Sequence, residues 1–100
     1  VNAPSPWKCP DGARLVRRPG ILHRLLEGES VLLDPDSGTY YALNEVASRV
    51  WELAADEPTL AEVLRTLLAE YEVAPATLRE DLDSLLGRLV EEGLLDVEEP

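Results

Sequence analysis

Few side chains in this 100-residue sequence are of a kind that does chemistry, and their spacing brings none of them together. Cys9 is the sole cysteine and His23 the sole histidine. A thiol becomes a strong nucleophile only beside a base, and the one imidazole falls in a stretch that alternates like a strand. Cys9 therefore reads as an exposed cysteine in an irregular leader segment, and His23 as a strand position. One cysteine can form neither an intramolecular disulfide nor a cysteine metal cluster. Asp34-x-Asp36-x-Gly38, with Glu45 at the twelfth place counted from Asp34, has the outline of a calcium loop. That loop needs glycine at its sixth place, and Gly38 stands at the fifth. A hairpin turn is expected there, with no metal and no cofactor. Nucleophile-elbow, phosphate-loop and dinucleotide fingerprints are absent from the sequence, so the expectation is a protein that is not an enzyme.

Charge narrows the partners. The formal net charge is −11. Residues 1–50 hold six basic and six acidic groups, whereas residues 51–100 hold three basic and fourteen acidic. Such a surface repels phosphate backbones, because nucleic-acid binding draws on lysine and arginine to release counterions. Every apolar stretch is interrupted by charge, so no membrane span is expected. The first twenty residues, rich in proline, glycine and charge, offer no apolar signal segment. A cytoplasmic protein is the expectation.

The elements that must position any binding residues come in two halves. Residues 1–14 form an irregular arm, ordered where Trp7 finds a pocket. Leu15-Val16 and Ile21 to Leu26 make a first strand region bent at Pro19-Gly20. Ser30 to Leu33 and Thr39 to Leu43 make a second and a third. Asp34-Pro35-Asp36-Ser37-Gly38 between them is a dense turn signal, so these two pair antiparallel. The hydrophobic period then lengthens to that of a helix. Asn44 caps a helix to about Ala54. Thr59-x-x-Glu62 is a capping box that opens a second helix to about Tyr71, burying Leu60, Val63, Leu64, Leu67 and Leu68. A third begins near Pro75 or at a further capping box, Thr77-x-x-Glu80, and stops at Gly93. Leu94 to Val97 adds a short extended tail. The class is α+β, a three-stranded antiparallel sheet followed by three helices.

Two features of this plan point to binding. In a sequential meander the third strand is an edge, and residues 39–43 carry neither charge nor proline to guard it. Such an edge is either covered from within or used to pair with another chain. In the third helix, Leu85, Leu78, Leu89, Leu82, Leu86 and Val90 spread over about 140°, where about 100° suffices to face a core. The surplus at one flank forms an apolar wall beside the strand, or else is buried between the other helices.

The run Val31-Leu32-Leu33-Asp34-x-x-Ser37-Gly38-x-Tyr40-Tyr41-Ala42-Leu43-Asn44-Glu45, followed by Val50-Trp51-Glu52-Leu53, resembles the PqqD family. Thr59-Leu60-x-Glu62-Val63, Val73-x-Pro75 and Leu82-x-x-Leu85-Leu86-x-x-Leu89-Val90-x-x-Gly93-Leu94-Leu95 continue the likeness, which covers residues 15–97. The resemblance implies a winged-helix-like recognition element for ribosomally made, modified peptides. It implies a precursor's leader held as an added strand between the third strand and the third helix. Thr39, Tyr40, Tyr41, Ala42 and Leu43 would then form the strand side. Leu78, Arg79, Leu82, Leu85 and Leu86 would form the wall. A free-standing chain of this size is most similar to the recognition proteins of lasso-peptide pathways. These hand the leader to a separate protease and an ATP-dependent cyclase. A PqqD-type chaperone for a radical-SAM enzyme is the alternative. A winged-helix DNA-binding regulator is disfavoured, because Arg79 and Arg88 are outnumbered by acids on the third helix.

Overall fold

Alternation in the first half of the chain becomes sheet and the longer period becomes helix in the computed structural model, which describes residues 9–26 and 29–99. The order is β1 (Arg14–Arg17), β2 (Leu22–Leu26), β3 (Glu29–Asp34), β4 (Thr39–Leu43), α1 (Glu45–Leu53), α2 (Leu60–Glu70), α3 (Pro75–Glu91) and β5 (Leu95–Glu98). A single 3-10 turn, Ala54–Asp56, follows α1. Strands β2, β3 and β4 form the expected three-stranded antiparallel sheet with β3 in the middle. Trp7 lies outside the described residues.

The first strand region is divided more sharply than its sequence suggests. Gly20 at φ +88° reverses the chain after Pro19, and the two halves enter different sheets. β1 leaves the meander and pairs antiparallel with β5, Leu15 opposite Val97 and Arg17 opposite Leu95. The extended tail is thus a partnered strand, and it buries Leu95 fully together with Leu15 of β1. Burying a leucine side chain contributes about 1.5–3 kcal/mol, enough to draw both chain ends onto the helices.

The β3–β4 hairpin follows its turn chemistry. Asp34 accepts from the Asp36 amide at 3.0 Å through its carboxylate and from the Gly38 amide at 2.8 Å through its carbonyl. Gly38 supplies φ +71°. Register puts Leu32 opposite Tyr41 and Leu33 opposite Tyr40. The pleat therefore sends Leu32 and Tyr41 to the core and Tyr40, 64% exposed, away from it.

The helices start where their caps dictate. The Asn44 side chain accepts from the Ala47 amide at 2.8 Å. Thr59 and Glu62 close the capping box, with the Glu62 carboxylate accepting from the Thr59 amide at 3.0 Å. α3 begins at Pro75, and Ala74 gives it no side-chain cap. The Thr77-x-x-Glu80 pattern therefore lies inside the helix and caps nothing, because proline at the first turn has already set the helical φ. At its other end the Gly93 amide reaches the Val90 carbonyl and the Leu94 amide the Leu89 carbonyl, a Schellman ending. The core gathers Trp51, Leu60, Leu67, Leu82, Leu86 and their neighbours under β1, β3 and β5. Leu68, expected inside, is 38% exposed, because it sits at the flank of the α2 stripe.

Candidate functional site

β4 is an edge of its sheet, and no described residue pairs with its outer side. Its neighbour across that side is α3. Between them runs an open cavity of about 300 Å³, lined by residues 40–44 on the strand side and by Leu85, Arg88, Leu89 and Glu92 on the helix. A second cavity of about 450 Å³ shares Asn44, Leu85 and Arg88 with the first. It continues towards Val46, Tyr71 and Val73, with Leu78, Asp81 and Leu82 of α3 beneath. Together they make one seam along α3. The outer side of β4 borders the first cavity, and the second runs on past Asn44 beside α1. On the other side stand leucines of α3 together with the charged Asp81, Arg88 and Glu92.

The helical repeat decides which α3 residues reach the seam. At about 100° per residue, Leu78, Leu82 and Leu89 form the centre of the stripe, and they are 4%, 1% and 4% exposed. Leu85 lies at one flank, half-buried, with Glu92, Asp81 and Arg88 successively farther round the same side. Leu86 and Arg79 lie at the opposite flank. Of the expected wall, Leu85 faces the seam directly, and Leu78 and Leu82 contribute to the second cavity from positions that are chiefly core. Leu86, fully buried, and Arg79 line neither cavity. On the strand side Tyr40, Tyr41, Ala42 and Leu43 line it, whereas Thr39 is exposed at the turn.

Arg79 is occupied elsewhere. Its guanidinium donates to the Asp11 carboxylate and to the Cys9 carbonyl, and approaches Asp83 at 3.5 Å. Asp83 in turn accepts from the Cys9 amide at 3.2 Å. Residues 9–13 are completed by bonds from the Leu60 and Ala61 amides to the carbonyls of Ala13 and Asp11, at 2.9 and 3.0 Å. These satisfy two of the amides that the first turn of α2 leaves without helical partners. This part of the arm is thus packed on α2 and the far flank of α3, clear of the seam. Cys9 is correspondingly buried, not exposed. Burial pushes its thiol pKa up to about 11, with Asp83 adding to the shift. A thiol held that far from ionisation is a packing group.

Asn44, Arg88, Leu89 and Glu92 line the seam in addition to the residues expected from the sequence. The signal was present for α3: the same angular count that grouped the leucines puts Arg88 and Glu92 on the flank of Leu85. Asn44 was read as a helix cap, and it is one. Its position at the end of β4 gives it a second exposure to the seam.

A free sheet edge beside a helix flank is an arrangement found among peptide-binding domains. The family model for coenzyme PQQ synthesis protein D (PqqD) matches residues 29–95, and the chain belongs to that family. Among solved structures it is similar to TbiB1 in complex with the TbiA(beta) leader peptide, at 31% identity and TM-score 0.74, over 81% of this chain and 94% of that one. It is also similar to lasso peptide synthetase B1 complexed with the leader peptide, at 32% identity and TM-score 0.74, over 82% and 96%. A search of curated proteins finds no match.

Proposed function

We propose that this chain is a non-catalytic carrier that binds the leader of a ribosomally made precursor. The leader adds as a strand to β4 and packs its side chains against the α3 flank around Leu85 and Leu89. The observation that carries the reading is the open seam. It sets the outer edge of an uncharged strand beside the half-buried Leu85 and the exposed Arg88 of α3, and strand addition draws affinity from such an edge and side-chain selection from such a wall. The similarity to two proteins solved with a leader peptide, one of them lasso peptide synthetase B1, supports the choice of ligand. The bound leader would then be presented, in the cytoplasm where precursors are made, to a separate leader protease and an ATP-dependent cyclase. Transfer to a radical-SAM enzyme is less favoured, since one of the two similar structures is a lasso peptide synthetase. A DNA-binding role fails on charge, for α3 exposes Glu80, Asp81, Glu91 and Glu92, and Arg79 is already engaged by the arm.

Hydrogen–deuterium exchange with a synthetic leader peptide of a lasso-peptide precursor tests the reading. Slowed exchange of one or two β4 amides, with the rest of the sheet unchanged, is the expected result. Saturable binding that protects a different surface would refute it.

A further inference from the structure

Arg88 stands where the two halves of the seam meet, and there it is exposed. The other basic residues of the second half of the chain are Arg65 on α2 and Arg79, which the arm occupies. Among the described residues Arg88 forms no ion pair, although this part of the chain is dense with carboxylates. Asn44 faces it across the same junction. The Asn44 side-chain oxygen already accepts from the Ala47 amide, which fixes the side chain at the helix start and leaves its –NH2 to donate to a guest. A guanidinium and a side-chain amide that can both donate thus line one place in a seam whose other charged groups are carboxylates. Glu92 lies one helical turn beyond Arg88, and Asp81 two turns before it, both lining the seam.

Resting on the strand-addition reading, we infer that Arg88, with Asn44, selects an acidic side chain at one position of the bound peptide and so sets its register. A carboxylate placed there accepts charge-assisted hydrogen bonds from the guanidinium and the amide. Shifted along the seam, the same carboxylate meets Glu92 or Asp81 and is repelled. Backbone pairing alone is nearly blind to a slip along an edge strand, because every residue offers the same groups. A single cation between two anions removes that degeneracy, and it favours basic residues to either side of the acid.

The test is selection of binders from a display library of random peptides about a dozen residues long, long enough to cover an edge strand and its flanks. Selections use the full chain and its Arg88→Glu and Ala42→Pro variants. Arg88 is exposed, so its replacement leaves the melting temperature near that of the parent. Peptides selected by the parent chain are expected to align on one Asp or Glu, and those selected by Arg88→Glu on Lys or Arg at that place. For a selected peptide, replacing the acid by its amide should weaken binding to the parent about fivefold and leave binding to Arg88→Gln unchanged. Binders that require an intact β4 but show no acid preference, or one that survives Arg88→Glu, would overturn the inference and leave strand addition standing. Binders indifferent to Ala42→Pro, or no binders at all, would overturn both.

Discussion

Arg79 on α3 clasps Asp11 at the other end of the chain, donating to its carboxylate while also reaching the Cys9 carbonyl. This pair ties residues 9–13 to the core, since Cys9 and Ala13 beside it are fully buried. It also holds Arg79 away from both cavities of the seam.

Replacing Arg79 with alanine should therefore loosen residues 9–13 and spare the seam. The expected stability loss is about 1 kcal/mol, a fall of about 4–8 °C in Tm for a domain this small. Cys9 should change most. In the parent its buried thiol resists a disulfide reagent at pH 8, and in the variant it should react readily while peptide affinity holds. Weakened peptide binding with an unreactive Cys9 would return Arg79 to the binding wall.

Proline in β4 should act by parity. Successive residues of a strand point their amides to opposite sides, so residues 40 and 42 share one side and residue 41 takes the other. Ala42→Pro is expected to abolish peptide binding and keep the far-ultraviolet circular dichroism. Tyr41→Pro should cost a β3–β4 hydrogen bond and lower the melting temperature. Identical behaviour of the two variants would count against an open edge as the binding element.

Two adjacent leucines should separate binding from folding. Leu85 is half-buried at the seam and Leu86 is fully buried. Leu86→Ala should cost about 2–5 kcal/mol of stability through the cavity it leaves. Leu85→Asp should leave the chain folded and weaken peptide binding by at least tenfold. The pair is read by thermal melts alongside isothermal titration.

Acid should open the start of α2. Bonding to Thr59, first through its backbone amide and then through its hydroxyl, holds the Glu62 carboxyl below the usual carboxylate range. A depressed folded pKa adds stability above the unfolded value of about 4.3, and that contribution fades as pH falls through the folded value. Glu62→Gln keeps an acceptor for the capping box and carries no titration. Its melting temperature should fall less steeply than the parent's below pH 4.5, and parallel curves would contradict this origin.

Much was legible from local pattern, because caps, turns and periods act over a few residues. Asn44, Thr59 with Glu62, Gly38 and Gly93 each mark a boundary that the fold observes. The angular spread of the α3 leucines separates the buried Leu78, Leu82, Leu86 and Leu89 from Leu85, which is half-buried at one flank. Which flank stays open was not local information. It depends on where the arm docks, and that is decided by Arg79 and Asp83 meeting Cys9 and Asp11 across almost the full length of the chain. The division of the first strand region was equally hidden, since the partner of Leu15 and Val16 is β5 at the far end. Sequence by itself determined the elements, their limits and the unguarded character of β4. Tertiary structure decided that Arg79 and Leu86 turn inward or away, and that Arg88 and Asn44 face the seam, because only long-range packing chooses which side of a helix is covered.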